Sequence, residues 1–367
     1  MFNQIKIVNF LCHTKIESSL KERNLIVSES ALGKTSFFTA LFFLSAGTDI
    51  RNYFRSPLIQ NGQNYATVEV VFVNVKNINV SYKVLIQPHK TTFFRNDQPI
   101  NISVLINEIP LFVTNLSELF FYDKTMQYQW LKHKISKIHP PFWAIYEKTL
   151  AQIQQLKKIA AKPQKSVLDE QKQNEITMWI WRTSQTWQNH TAQFLQVINK
   201  NLTKVVRSFS AHFAIFQLSF QPFRFGLKGN QTPPSSSLTE MVQQSLLTKP
   251  SEQNFWFLFF GGGFQLVGLP HNRSWLSSRE QLNQQLFIEI VAAMWFYVQT
   301  KLKPILMIDN FDQLHPETQQ FIWRFAHNFA QIFISALSLD TIDNYKILPV
   351  EKIQIIKIIK NETQTPN

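Results

Sequence analysis

The chain has 367 residues, 37 Lys and Arg against 24 Asp and Glu, and a formal net charge of +13. This length favours a main domain with one further subdomain, and the charge favours an anionic partner such as nucleic acid, although drift toward lysine codons is an alternative origin. One cysteine, Cys12, excludes an internal disulfide framework and fits a reducing cytoplasm. The apolar runs 37–46 and 255–264 are too short to span a bilayer, so we expect a cytoplasmic protein without a membrane partner.

The first elements place a loop between a strand and a helix. Residues 4–10 alternate polar and apolar side chains, which indicates a half-buried strand, and a polar connection leads to a short apolar strand at 24–27. Residues 36–46 have the length and apolar content of a buried helix. The loop VSESALGKTS, residues 27–36, lies between them. Strand, loop and helix in this order are the context of a phosphate-binding loop.

The residue types in this loop suit a nucleotide. Gly33 lets backbone N–H groups face a phosphate, Lys34 reaches the terminal phosphates, and Thr35 ligates Mg²⁺. The usual opening glycine is replaced by Ser28, which restricts positive φ angles and predicts a strained or reshaped loop. The alternative is an ordinary lysine at a helix start. We predict a nucleotide site formed by Ser28, Glu29, Ser30, Ala31, Leu32, Gly33, Lys34 and Thr35.

The middle of the chain changes from strands to helices. Residues 66–72, 80–87 and 91–94 read as an antiparallel meander that ends near a turn at 96–99. Residues 117–216 are polar and helical, and prolines at 140, 141 and 163 divide them into at least three helices. We therefore predict an N-terminal lobe at 1–116, an inserted helical subdomain at 117–216 and a C-terminal lobe at 217–367.

The C-terminal lobe has a parallel α/β pattern. A buried strand at 255–260 and a glycine turn at 261–263 precede a long helix at 277–299, a strand at 304–309, a helix at 316–329 and a strand at 331–336. Asp309 lies at the carboxyl end of its strand, where a carboxylate can hold Mg²⁺ opposite a phosphate loop. The alternative is that Asp309 only forms the following turn.

Together, the loop and this strand have the layout of an ABC-type ATPase head. The motifs that occur in the order of the RecF family are IKIVNF, VSESALGKTS, GTDIRNYFRS, INEIPLFVT, SSREQLNQQLFIEIV, PILMIDNFDQL and QIFISALS. Over residues 1–360 the chain resembles this bacterial recombination-mediator ATPase, which is related to the structural-maintenance-of-chromosomes class. The resemblance implies an α/β (α+β) fold: an ABC-type head with a mixed β-sheet and a P-loop, plus an inserted helical subdomain.

The resemblance also implies roles for particular residues. Lys34 and Thr35 would bind phosphate and Mg²⁺, Asp309 would bind Mg²⁺, and Ser335 would lie near the γ-phosphate. The residues that resemble the family's signature, which closes over the other subunit's ATP, are Ser278, Arg279 and Gln281; the alternative for Ser278 and Arg279 is that they only cap the long helix. The implied cofactors are ATP and Mg²⁺. The implied partners are single-stranded, gapped or linear double-stranded DNA, a second copy of the chain, and recombination-mediator proteins.

Several positions depart from the family's pattern. Asn310 replaces the second acid, and because an amide cannot accept a proton from water, we expect hydrolysis to be slower by orders of magnitude. Glu280 replaces the signature glycine, His315 the acid of the D-loop and Phe112 the glutamine of the Q-loop. One hypothesis is a DNA-binding ATPase with weak hydrolysis that acts in DNA replication, repair of gapped DNA and the SOS response through ATP-dependent dimerisation. The other is a DNA-binding scaffold of the same fold that does not hydrolyse ATP.

Overall fold

The computed structural model describes residues 1–29, 33–47, 58–74, 76–114, 124–209, 216–220, 264–267, 278–338 and 353–358. Their strands are β1 (Phe2–Phe10), β2 (His13–Ser19), β3 (Arg23–Val27), β4 (Ala66–Val73), β5 (Asn79–Gln87), β6 (Lys90–Arg95), β7 (Gln98–Ile100), β8 (Leu111–Thr114), β9 (Gln217–Phe220), β10 (Phe264–Val267), β11 (Ile305–Ile308), β12 (Gln331–Ala336) and β13 (Ile353–Lys357). Their helices are α1 (Lys34–Ala46), α2 (Ile102–Glu108), α3 (Lys124–Ile138), α4 (Pro141–Ala160), α5 (Val167–Phe209), α6 (Ser278–Thr300) and α7 (Pro316–Phe325).

The chain divides into two compact units. One contains the described parts of Met1–Leu119, Lys204–Phe213 and Pro270–Asn367, and the other those of Phe120–Thr203 and Ala214–Leu269. The predicted lobe boundaries at 116 and 216 stay a prediction. Within the described residues, no helix combines the length and the hydropathy needed to cross a bilayer.

An antiparallel sheet in the first unit has the strand order β2-β1-β4-β5-β6-β7. Burial alternates along β4 and β5, since one face of each strand packs against the core. The meander predicted from β4 to β6 is confirmed. The polar connection predicted after β1 is wrong over residues 13–19, which form β2. Only His13 is buried in β2, so backbone pairing with β1 forms this strand without an apolar face that a sequence pattern would reveal.

A parallel sheet in the same unit has the strand order β13-β3-β12-β11-β8. The strands β8, β11 and β12 are buried along their whole length, as expected for a parallel sheet covered on both faces. The strands predicted at 24–27, 304–309 and 331–336 are confirmed, and the structure places them side by side in this sheet.

The core of the first unit joins the two sheets to α1. The Phe2 ring of β1 lies 5.5 Å from that of Phe72 in β4 and 6.2 Å from that of Phe333 in β12, measured between centroids. The buried amide of Gln331 links β12 to β1, because its Nε2 donates to the Phe2 carbonyl at 2.8 Å and its Oε1 accepts from the Phe2 N–H at 2.9 Å. These contacts hold β12, the central strand of the parallel sheet, against β1 of the antiparallel sheet.

The second unit is mainly helical. Pro141 begins α4 and Pro163 lies between α4 and α5, which confirms the predicted helix breaks. The Phe142 ring packs edge-on against the Trp187 ring, with centroids 4.3 Å apart. An antiparallel pair, β9 and β10, completes the described part of this unit.

Two predicted helices have different ends in the structure. The helix expected at 36–46 begins at Lys34, because Gly33 adopts a left-handed conformation immediately before it. The helix expected at 316–329 ends at Phe325 and continues as a 3₁₀ turn, Ala326–Asn328. The predicted strand at 255–260 and glycine turn at 261–263 lie outside the described residues.

Candidate nucleotide-binding site

The site lies where the carboxyl ends of β3, β11 and β12 meet. Ser28 follows β3, Asp309 follows β11, and Ser335 is the penultimate residue of β12. The Ser28 N–H donates to the Ala336 carbonyl at 3.4 Å, which places the start of the loop beside the end of β12. Ligands of open α/β sheets bind at this edge, so the sheet positions the loop and Asp309 to face the same ligand.

Asp309 accepts hydrogen bonds on both carboxylate oxygens. Thr35 Oγ1 donates to Oδ2 at 2.8 Å, and Ser335 Oγ donates to Oδ1 at 2.5 Å. The Asn310 N–H also points to Oδ1, at 3.1 Å. Asp309 is only 1% exposed, and burial raises its pKa, while the bonds from Ser335, Thr35 and Asn310 and the charge of Lys34 oppose that rise. The carboxylate is therefore buried, oriented and supported by donors.

Lys34 is folded back along its own loop. Its Nζ donates to the Ser28 carbonyl at 2.6 Å and to the Glu29 carbonyl at 3.1 Å. The residue is 6% exposed, and burial lowers the pKa of the ammonium, while the charges of Asp312 and then Asp309 oppose that shift. The bonds to the two carbonyls hold the ammonium within the loop that the sequence predicts as a phosphate cradle.

Gly33 is required by both its conformation and its surroundings. Its φ is +110°, and a Cβ there would lie 2.5 Å from Cys12 Sγ and 2.5 Å from His13 Cε1. His13 Nε2 lies 3.0 Å from the Gly33 carbonyl, and burial lowers the pKa of His13, partly offset by this bond. A neutral His13 with its proton on Nε2 donates to that carbonyl. Sequence reasoning missed this support, because no spacing links the β1–β2 turn to the loop.

The replacement of glycine by Ser28 causes no backbone strain at Ser28 itself. Ser28 is not among the described residues with a positive φ, so its own backbone does not need the freedom of a glycine, and the strained or reshaped loop stays a prediction. Its hydroxyl donates to the Glu29 carbonyl at 3.1 Å. Ser30, Ala31 and Leu32 lie outside the described residues, so their predicted phosphate contacts stay predictions.

Asn310 adopts a left-handed conformation, with φ 53° and ψ 49°. Asparagine tolerates this region better than most residues. Its N–H donates to Ser335 Oγ at 2.7 Å as well as to Asp309. Two residues later, Asp312 Oδ2 accepts from the Leu337 N–H at 3.3 Å. These hydrogen bonds connect the turn after β11 to the end of β12. The negative charge of Asp312, a residue that sequence reasoning missed, also interacts with the Lys34 ammonium.

The signature residues stay predictions. Ser278 begins α6, but the side chains of Ser278, Arg279 and Gln281 lie outside the described part, while Glu280 is exposed in the first turn. Phe112, predicted at the Q-loop position, is fully buried in β8, with its ring 5.4 Å from that of Phe296. His315 is the N-cap residue of α7. Phe112 therefore packs in the core of this fold, whereas the His315 side chain makes no capping hydrogen bond to α7.

The donors at the site fit a small hard cation. Thr35 and Asp309 offer a hydroxyl and a carboxylate oxygen within 2.8 Å of each other, and Mg²⁺ prefers one or two such protein ligands, with water and phosphate as the others. No group of three His, Cys, Asp or Glu side chains that could hold a metal occurs among the described residues. A Mg²⁺ ion here would depend on a bound nucleotide to complete its ligands.

The connection from β3 to α1, the strand that leads to Asp309 and the flanking antiparallel sheet have the arrangement of the ABC-type ATPase-head fold. Two similar solved structures are both of the recombination mediator protein RecF in the RecFOR pathway. The RecF–ATP structure has a TM-score of 0.70 at 16% identity, over 92% of this chain and 93% of that chain. The RecF–ATPrS structure has a TM-score of 0.67 at 17% identity, over 93% of both chains. No protein-family model and no curated protein matches the sequence. The chain thus has a RecF-like fold at low sequence identity, which confirms the predicted fold.

Proposed function

We propose that this protein is a RecF-like, DNA-binding ATPase that acts in the cytoplasm in DNA replication, in recombinational repair of gapped DNA and in the SOS response. The observation that carries the proposal is the Thr35–Asp309 hydrogen bond of 2.8 Å, formed beside a buried Lys34 at the carboxyl edge of a parallel sheet. Two solved structures with a similar fold are of RecF, one with ATP and one with ATPrS.

Each retained residue has a role in binding ATP. Lys34 supplies positive charge to the terminal phosphates, and Gly33 allows the backbone to approach them. Thr35 and Asp309 would hold Mg²⁺, which would neutralise charge on the phosphates. Ser335 orients the Asp309 carboxylate through its 2.5 Å hydrogen bond. The structure supports this assignment because these side chains converge although they come from different parts of the chain.

Turnover is expected to be slow. A general base contributes roughly 10²- to 10⁴-fold to a rate, and the amide of Asn310 cannot supply one. Asn310 instead uses its backbone N–H to support Asp309 and Ser335. The chain is therefore better suited to retaining ATP than to consuming it.

We propose that ATP joins two copies of the chain, with Ser278, Arg279 and Gln281 of each copy over the ATP of the other. The dimer would bind single-stranded, gapped or linear double-stranded DNA together with recombination-mediator proteins. The net charge of +13 supports a polyanionic partner, because lysine and arginine gain affinity by releasing counterions from phosphates.

A non-hydrolysing DNA-binding scaffold is the second candidate. Asn310 in place of an acid and the exposed Glu280 in the first turn of α6 favour it, since both weaken the catalytic cycle of a dimeric head. The two candidates differ in whether ATP controls DNA binding.

The test is fluorescence anisotropy of a labelled gapped duplex with and without Mg-ATP, accompanied by sedimentation velocity. The proposed function predicts that ATP produces dimers and strengthens DNA binding, and that Lys34→Ala removes both effects. The exposed Lys90→Ala variant is the matched control and should behave like the unmodified protein. DNA binding of equal strength with and without ATP, from a monomer, would favour the scaffold and refute the ATP-controlled dimer.

A further inference from the structure

A cavity lies at the opposite end of β11 from Asp309 and the candidate nucleotide site. It has a volume of about 550 Å³, and its lining includes Ile305, the first residue of β11, and Ala330, which precedes β12. Asp309 follows the last residue of β11, and a four-residue strand spans roughly 13 Å. The cavity is therefore separate from the candidate nucleotide site, and all the residues that line it belong to the first unit.

The cavity has an apolar part. Phe72, Val73, Pro110, Leu302, Ile305 and Ala330 contribute to the lining. A pocket of about 300–1,000 Å³ with apolar walls and a few polar groups is typical of a small-molecule site. The apolar lining therefore favours an organic ligand over an inorganic ion.

The charged groups that line the cavity are mainly cations. Arg95, Lys301 and Lys303 face it, against the single carboxylate of Glu108. Glu108 pairs with Arg95 at 3.4 Å and also accepts a hydrogen bond from the Tyr82 hydroxyl. Within the described residues no carboxylate pairs with Lys301 or Lys303. Lys303 Nζ donates to the His327 carbonyl at 3.4 Å, a neutral acceptor that leaves its charge uncompensated. Two positive charges that no carboxylate neutralises therefore line the cavity.

Two further features distinguish the residues that line the cavity. Arg95 Nε is buried and has no hydrogen-bond partner among the described residues. Lys301 follows the last residue of α6 with a φ of +61°, a position where glycine is the usual residue. A lysine there has backbone strain that a glycine would not have. The Lys301 side chain lines the cavity.

We propose that this cavity binds a small organic anion, with its apolar body against Leu302 and Ala330 and its acidic group against Lys301 and Lys303. The acidic group is a carboxylate or a phosphate, since both suit ammonium donors. The proposal is independent of ATP binding at the other end of the sheet.

The test is a fluorescence titration of the full chain with 8-anilinonaphthalene-1-sulfonate, an anion on an aromatic body. The double variant Lys301→Ala with Lys303→Ala should bind the probe at least about tenfold more weakly, because it loses both cations that no carboxylate neutralises. Lys90→Ala, an exposed lysine away from the cavity lining, is the matched control and should bind as the unmodified protein does.

Lys301→Gly separates binding from folding. Glycine relieves the strain at this left-handed position, so the Tm should stay equal or rise while probe binding weakens. Displacement of the probe by octanoate would assign a carboxylate ligand, and displacement by phenyl phosphate would assign a phosphate. Unchanged probe affinity in both lysine variants, or an equal loss in Lys90→Ala, would overturn the proposal.

Discussion

Thr35 Oγ1 donates a 2.8 Å hydrogen bond to Asp309 Oδ2 across 274 residues of sequence. This bond joins the first turn of α1 to the end of β11, and Ser335 of β12 holds the other oxygen of the same carboxylate. The pair that would hold Mg²⁺ is thus brought together by the protein alone. We therefore expect the site to be largely formed before a nucleotide arrives.

Thr35 provides the first prediction. Thr35→Ala removes the hydroxyl that would bind Mg²⁺, so the gain in ATP affinity on adding Mg²⁺ should fall about tenfold or more. Thr35→Ser keeps the hydroxyl and should retain that gain. The measurement is an ATP titration with Mg²⁺ and with chelator. If Thr35→Ala shows the same Mg²⁺ dependence as the unmodified protein, Thr35 is not a ligand.

Asp309 predicts a pH dependence of stability. Burial raises its pKa in the folded protein above the ordinary value of 3.8, so the folded state binds more protons than the unfolded state just above pH 3.8. The contribution of this group to stability is therefore present at low pH and is lost as the pH rises through the raised pKa. Asp309→Asn, which carries no charge, should avoid that loss.

The measurement is the Tm of the nucleotide-free protein between pH 4 and pH 8. The Tm of Asp309→Asn, relative to the unmodified protein, should increase as the pH rises, while Mg-ATP binding is lost. Asp97→Asn, at an exposed turn, serves as the control substitution. A Tm for Asp309→Asn below that of the unmodified protein at pH 7 would contradict the prediction.

Gly33 can be compared directly with Gly62. Both have a positive φ, +110° and +81°, but only at Gly33 would a Cβ meet neighbouring atoms, whereas Gly62 has open space around it. Gly62→Ala should cost about 1–2 kcal/mol of backbone strain. Gly33→Ala adds a collision with Cys12 and His13 and should cost about 2–5 kcal/mol in total. Urea unfolding measures the free energy of unfolding of both variants. Equal losses would mean that the backbone at residue 33 shifts and avoids the collision with Cys12 and His13.

Asn310 predicts a gain of activity. Asn310→Asp restores a proton acceptor and, because aspartate also tolerates the left-handed region, should keep the turn intact. We expect ATP turnover to rise at least about tenfold, within the usual range of general-base catalysis. Gln313→Glu, which adds a carboxylate in the same 3₁₀ turn, is the charge-matched control. The measurement is the rate of phosphate release from ATP. If Asn310→Asp does not raise this rate, the missing carboxylate at position 310 is not what limits turnover.

The sequence predicted the elements that carry the site better than the contacts within it. Buried apolar runs identified β3, β11 and β12, and the Gly-Lys-Thr triplet located the start of α1 within two residues. The support of Gly33 by His13, the bonds from Lys34 to its own loop and the role of Ser335 depend on which strands become neighbours. Strand order is not encoded in local periodicity, so these contacts required the structure.

Two other features of the structure could not be predicted from the local sequence. The strand β2 lacks apolar alternation because only His13 is buried along it, so its existence depends on pairing with β1. The expectation of a strained or reshaped loop came from the usual glycine of the motif, but the backbone at Ser28 itself does not need a positive φ. In both cases, contacts with other parts of the chain determine a local backbone conformation that the local sequence does not reveal.

The most direct test is calorimetric titration of the purified chain with Mg-ATP, alongside Lys34→Ala and the exposed Lys90→Ala. Lys34 is the buried cation of the loop, so its loss should weaken ATP binding by about 100-fold or more, as removal of a charged partner of a phosphate costs roughly 3 kcal/mol. The account predicts saturable binding to the unmodified protein and to Lys90→Ala, and none detectable to folded Lys34→Ala. Absence of ATP binding to the unmodified protein, or equal binding to Lys34→Ala, would contradict it.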